Sequence, residues 1–368
     1  MTARVFTGAR VFDGVRFVPG PLRVADGLVT DPEAGEEVPL DGGYLVPGFL
    51  DLQVNGAGGR MVDGSATADW LAEMCGIHAR LGATGILPTL ITDTPEATAA
   101  VIAAGAEAAR RQVPGFLGLH LEGPHLDPRR KGAHDPALIR PMTEADLVRL
   151  LEAAGRLPSL MVTLAPASVT AEQIGRLAAA GVVVSLGHSD CTHAEAQAAI
   201  AAGARCVTHL FNAMSQLGNR DPGLVGAALT GPVHAGLIAD GIHVAPETMR
   251  IAMAASDRLF LVSDAMAAAG SNLTEFTLNG RRILRREGRL TLEDGTLAGA
   301  DLTLPQAVRV MLRLGTPPEV ALAMATSRPA ACLRRNLGRL APGAAADMLH
   351  LAEDGRLMAV WRGGERLA

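Results

Sequence analysis

FLGLHLEG, residues 116–123, is the stretch on which the fold turns. It is a short apolar run that closes on a carboxylate, and it is followed by Ala- and Leu-rich sequence of helical period. Seven more runs of this kind surround it: PGFLDLQVN (47–55), TGILPTL (84–90), SLMVTLAP (159–166), VVVSLGHS (182–189), RCVTHLFN (205–212), HAGLIADGIH (234–243) and LFLVSDAM (259–266). Strand-like runs alternating with helical stretches are the signature of βα units around a parallel sheet. Eight is the number that closes such a sheet into a barrel. The helices between them carry start signals of capping-box type, Thr143 with Asp146, Thr170 with Gln173 and Thr192 with Glu195, and Gly181 and Gly203 stand where stops are expected. An open doubly wound sheet would instead place G-x-G-x-x-G and a helix after its first strand. VNGAGGRMVDG (54–64) does not fit that pattern.

Outside the eight runs the character changes. ARVFTGARVFD, PLRVADGLVTD and GGYLVPGF near the start, and ADMLHLAEDGRLMAVWRGGERLA at the end, read as strands separated by turns. The expected architecture is therefore an α/β chain. A (β/α)8 barrel spans 49–337, and a small β-sandwich is formed by 1–48 together with 338–368. Residues 271–300, with Asn279-Gly280 and Asp294-Gly295, read as a β-rich excursion after strand eight.

Composition narrows the function. Apolar residues make up 48% of the 368, with 42 Gly and 22 Pro, as suits many short elements joined by tight turns. A net charge of -5 without a basic patch argues against nucleic acid. Cys75, Cys191, Cys206 and Cys332 lack paired spacing and read as reduced thiols. Neither a leader pattern at the start nor a run of about 20 apolar residues is found, so the expected location is the cytoplasm.

In such a barrel chemistry sits at the C-terminal ends of the strands. Those ends carry Gln53 and Asn55, Glu122, His188, His209, Asp240 with His243, and Asp264. Any one histidine here would read as a hydrogen-bonded structural residue. Together, Glu122, His188 and His209 form a set of one carboxylate and two imidazoles, suited to a divalent metal that keeps an open position. Zinc suits this set, with iron, manganese and cobalt open. Gln53-Val54-Asn55 offers no imidazole pair for a second ion, so one metal per site is expected. Asp264 stands where it could exchange a proton with metal-activated water, or equally where it could cap a following helix.

PGFLDLQVNG, LGLHLEGP with KGAHDP, VVSLGHSDCT, THLFNAMSQLGNRDPGLVG, IADGIHV, LVSDAMAAAG and GTLAGADLT follow one another in this chain. In order and context this series resembles the N-acetylglucosamine-6-phosphate deacetylases of the amidohydrolase superfamily. The resemblance covers essentially the whole chain. It implies that Glu122, His188 and His209 bind the metal, that Asp264 shuttles the proton and that His243 helps to polarise the acetamide carbonyl. It further implies substrate contacts from Ala133, His134, Asn212, Ala213, Arg220, Asp240, His243, Leu297, Ala298 and Gly299, and a homodimer in which Arg220 or His134 reaches a neighbour's site. The activity so implied is hydrolysis of N-acetyl-D-glucosamine 6-phosphate to D-glucosamine 6-phosphate and acetate. Its rivals are the galactosamine epimer as substrate, or a barrel that binds sugar phosphate without catalysis.

Overall fold

The computed structural model describes residues 3–31 and 34–368. Among these, all eight expected runs are strands, and they form one parallel sheet in chain order: Phe49–Val54, Ala83–Ile91, Leu119–Glu122, Leu160–Leu164, Val183–Leu186, Cys206–Val207, His234–Leu237 and Leu259–Leu261. Nearly all their residues are buried, which is why they read as continuous apolar runs rather than alternating ones. The sheet closes where strand eight meets strand one. Asp264 N donates to Gln53 O at 3.0 Å, and Asn55 N donates to Ala265 O at 2.7 Å.

A helix follows each strand, and the three expected capping boxes are formed at Thr143, Thr170 and Thr192. In each, the threonine oxygen accepts an N–H three residues on, and the residue there returns the bond to the cap's own N–H. Two of the first turn's orphan donors are thereby satisfied. Gly203 ends its helix with φ 125°, a conformation open to glycine.

The two ends of the chain build the sandwich. One sheet of four strands orders Leu28–Val29, Leu22–Ala25, Arg4–Thr7 and Glu36–Pro39. The other orders Glu365–Arg366, Leu357–Arg362, Met348–Leu351, Tyr44–Pro47, Arg10–Phe12 and Phe17–Val18, so that Val46 lies opposite Leu349. Phe6, Val24, Leu45, Met348 and Trp361 fill the layer between them, with Phe6 edge-on to Trp361 at 5.3 Å.

The excursion after strand eight is an antiparallel meander of Glu275–Leu278, Arg281–Arg286, Arg289–Leu292 and Leu297–Ala300. Asn279 and Gly280 both have positive φ, 47° and 75°, as a two-residue hairpin turn requires. The last strand is fastened to the barrel mouth, since Ala300 N donates to Asp264 O at 2.9 Å. That approach is close enough that a Cβ on Gly299 would stand 2.6 Å from Met266 and 2.8 Å from Asp264 O.

Candidate metal centre and active site

Strand alternation carries Asp51, Gln53 and Asn55 onto one face of strand one, and His120 with Glu122 onto one face of strand three. His120 lies deeper in the barrel. Its ring nitrogens face Leu52 O at 3.1 Å and Thr163 Oγ1 at 2.7 Å, and burial pushes it down to about 4, so it stays neutral as a packing residue. Glu122, one step nearer the mouth, meets the two histidines of strands five and six. His188 Nε2 lies 3.1 Å and His209 Nε2 3.0 Å from Glu122 Oε1, and the two imidazole nitrogens are 3.0 Å apart. All three side chains are buried.

His188, His209 and Asp264 occupy the left-handed backbone region, with φ of 45°, 30° and 51°. For a residue with a Cβ that region costs roughly 1–2 kcal/mol, and strain of this kind gathers at functional sites. Here it is concentrated at the ends of strands five, six and eight.

The donor set itself tests the fit to a cation. His188 Nδ1 lies 2.8 Å from Arg130 O, and a carbonyl only accepts, so Nδ1 carries a hydrogen and Nε2 is the nitrogen free to act as a ligand atom. That nitrogen faces a carboxylate oxygen and a second imidazole nitrogen. One carboxylate oxygen and two imidazole nitrogens converge within about 3 Å of one another, the donor types a divalent cation takes. The separations are close to the edge of a tetrahedron drawn at the ligand distances of about 2 Å typical of zinc. The buried Glu/His/His cluster is a divalent-metal site. His134 competes for membership, because one of its nitrogens lies within 4.8 Å of ligand atoms on Glu122 and His188. Its Nδ1 is engaged with Thr92 Oγ1 at 2.8 Å, which leaves Nε2 available just as in His188, while His209 Nε2 meets Glu122 Oε1 and His188 Nε2 directly at 3.0 Å. His209 and His134 are thus the two candidates for the third place.

Asp264 caps no helix. Its carboxylate Oδ1 receives Asn55 Nδ2 at 2.6 Å and Gln53 Nε2 at 3.1 Å, while the same Gln53 amide reaches both oxygens of Glu122 at 3.2 and 3.3 Å. Burial, and then the charge of Glu122, pushes Asp264 up to about 6. Beneath it Asp51, wholly buried, accepts from Ser263 N, and burial pushes it up to about 7.

Above the cluster opens a cavity of about 530 Å³. Of the expected substrate contacts, Ala133, His134, Asn212, Ala213, His243, Leu297 and Gly299 line it, together with Arg129, Arg130 and Lys131 from the loop after strand three. Asp240 instead holds His243, accepting from Nδ1 at 2.6 Å, and Ala298 is buried within the meander's own core. The backbone N–H of Asn212 donates to His209 O and so is not free for a substrate. Arg220 is exposed on the loop after strand six, outside the cavity. Sequence reasoning read Gln53 and Asn55 only as missing imidazoles and passed over Asp51. The signal was present in the i, i+2, i+4 spacing of DLQVN.

A closed eight-stranded barrel, a Glu/His/His cradle at its strand ends and a partnered aspartate opposite define a metal-dependent hydrolase. A family model described as the amidohydrolase family matches residues 44–367. An N-acetylgalactosamine-6-phosphate deacetylase of Shewanella sp. (strain ANA-3) is 44% identical over 335 residues, covering 89% of this chain and 84% of that one. The crystal structure of N-acetylglucosamine-6-phosphate deacetylase from Pasteurella multocida superposes with a TM-score of 0.94 at 32% identity, covering 99% of each chain. The deacetylase of Mycobacterium smegmatis, solved as an aspartate-to-alanine mutant in complex with N-acetyl-D-glucosamine-6-phosphate, gives 0.90 at 32% identity, covering 100% of this chain and 99% of that one. This chain belongs to the amidohydrolase family, within its branch of amino-sugar-6-phosphate deacetylases. Among the described residues no helix is long and apolar enough to cross a membrane.

Proposed function

We propose that the protein hydrolyses the acetamide of N-acetyl-D-glucosamine 6-phosphate, giving D-glucosamine 6-phosphate and acetate. The observation that carries this reading is the convergence of Glu122, His188 and His209 on one point, coupled through Gln53 to Asp264. Those three side chains would hold one divalent ion, zinc by the preference of its donors, with iron, manganese or cobalt able to use the same ligands. Such an ion polarises an amide carbonyl and makes a neighbouring water more acidic.

The chain's own groups supply the rest. Asp264, buried beside the cradle, takes the proton of the attacking water and returns it to the nitrogen as the C–N bond breaks. A carboxyl held near 6 suits both directions of that transfer. His243, with its ring fixed by Asp240, helps to polarise the carbonyl. His134, Ala133, Asn212, Ala213, Leu297 and Gly299 surround the sugar, with Leu278 and Thr296 of the meander also lining the cavity. Arg220, a planar fork suited to phosphate, reaches the site of a second copy in a homodimer. All four cysteines are free and buried, and a phosphorylated substrate stays within the compartment that makes it, which together favour the cytoplasm.

The 44% identity to a galactosamine-type deacetylase favours a second reading, in which the 4-epimer is the better substrate. Acetate release from both 6-phosphates, with and without a chelator and alongside metal analysis of the purified protein, tests both. Chelator-sensitive release from the gluco sugar supports the first reading. A much higher kcat/KM on the galacto sugar selects the second, and no release from either rejects both.

A further inference from the structure

Asn55 ends strand one beside Asp264 of strand eight, and the backbone bonds that close the barrel fix the two side chains against each other. The contact of 2.6 Å runs from the amide group of Asn55 to Asp264 Oδ1. With the amide turned over, two oxygen acceptors would meet at that distance, so the nitrogen belongs where it stands. Gln53 Nε2 donates to the same oxygen from the other side. Among the described residues no hydrogen bond ends on Asp264 Oδ2. The oxygen of the Asn55 amide is itself buried and, among the described residues, without a partner. Leaving a buried carbonyl unpaired is unfavourable, so the Asn55 side chain is held for the bond its NH2 makes.

Building on the deacetylase reading, we infer that Asn55 is a positioning residue that makes the two oxygens of Asp264 unequal. Both donors on Oδ1 are N–H groups, which cannot accept a proton in return. Oδ1 is thereby committed to holding the carboxylate in one rotation, and Oδ2 is the oxygen that meets water and the departing nitrogen. Gln53 gives the second hold but is divided among three carboxylate oxygens, so the short bond from Asn55 sets the rotation. The arrangement explains why strand one ends in amides. An amide NH2 fixes a carboxylate without competing for the metal.

The test is Asn55→Leu, which keeps the shape, removes the donor and removes the unpaired oxygen. Bound metal per chain should match that of the parent, and KM should stay within about twofold. The value of kcat should fall about 10- to 100-fold, a part of what a positioned acid–base group contributes. A crystal structure of the variant should show the Asp264 carboxylate rotated away from its present setting. Asn55→Gln, which retains the donor, should recover part of kcat. Unchanged kcat in Asn55→Leu with metal retained, or an equal loss in the Leu and Gln variants, overturns the inference. If the Leu variant does not fold, Asn55→Ala replaces it in the same comparison. Should the parent release no acetate, the deacetylase reading fails on its own, and the rotation of Asp264 in the variant structure still decides the positioning claim.

Discussion

His188 donates through Nδ1 to the backbone carbonyl of Arg130 at 2.8 Å, and this one bond leaves its other nitrogen to face Glu122. Outer partners of this kind fix the tautomer and orientation of a metal-binding imidazole. The choice between His209 and His134 as its companion is testable. His209→Asn should abolish stoichiometric metal, read by elemental analysis after dialysis. His134→Asn should keep the metal and raise KM or lower kcat, because His134 lines the cavity while His209 meets both other side chains at 3.0 Å. The reverse pattern would move the ion to the Glu122, His134 and His188 set.

Asp264→Asn should leave metal content unchanged and reduce acetate release by roughly 10³-fold or more, the upper range for loss of a general acid–base group. The substituted amide can turn its oxygen to the Asn55 and Gln53 donors, so the barrel seam is preserved. Turnover near the parent's value would remove Asp264 from proton transfer.

Asp51 gives a pH dependence of stability. Below its ordinary value of 3.8 the carboxyl is protonated in both folded and unfolded chains and contributes nothing. Between 3.8 and about 7 the unfolded chain ionises first, so the native state loses stability as pH rises, by up to about 4 kcal/mol at pH 7 and above. Asp51→Asn removes this effect while keeping an oxygen for Ser263 N. Its denaturation midpoint relative to the parent should rise with pH and be highest above 7. A variant less stable than the parent at pH 8 would contradict this account.

Arg220 separates binding from folding. Arg220→Ala should raise KM for the phosphorylated sugar about 10- to 100-fold, the worth of one charge-assisted contact, with little change in thermal stability because the side chain is exposed. If sedimentation shows a monomer at assay concentrations and KM is unchanged, Arg220 has no part in the site.

The barrel was readable because its strands are buried on both faces and its helices announce their starts. Period and capping are local properties, and Thr143, Thr170 and Thr192 form the bonds their spacing promised. Glu122, His188 and His209 were legible for a similar reason, as ionisable groups ending otherwise apolar runs. The partnerships among side chains were not legible. Strand alternation tells which way Gln53 and Asn55 face, but not that both amides land on the oxygen of an aspartate more than two hundred residues away. Asp51 was hidden because an acidic residue at a strand's beginning looks like any other until the barrel closes over it.

The pairing of Tyr44–Pro47 with Met348–Leu351 joins segments that lie far apart in the chain. Val46, Leu349, Leu351 and Val360 belong to the same apolar core as the barrel strands, so this sheet is no detachable appendage. Loosening it would bare surface that the barrel also relies on, and the two are expected to melt as one unit.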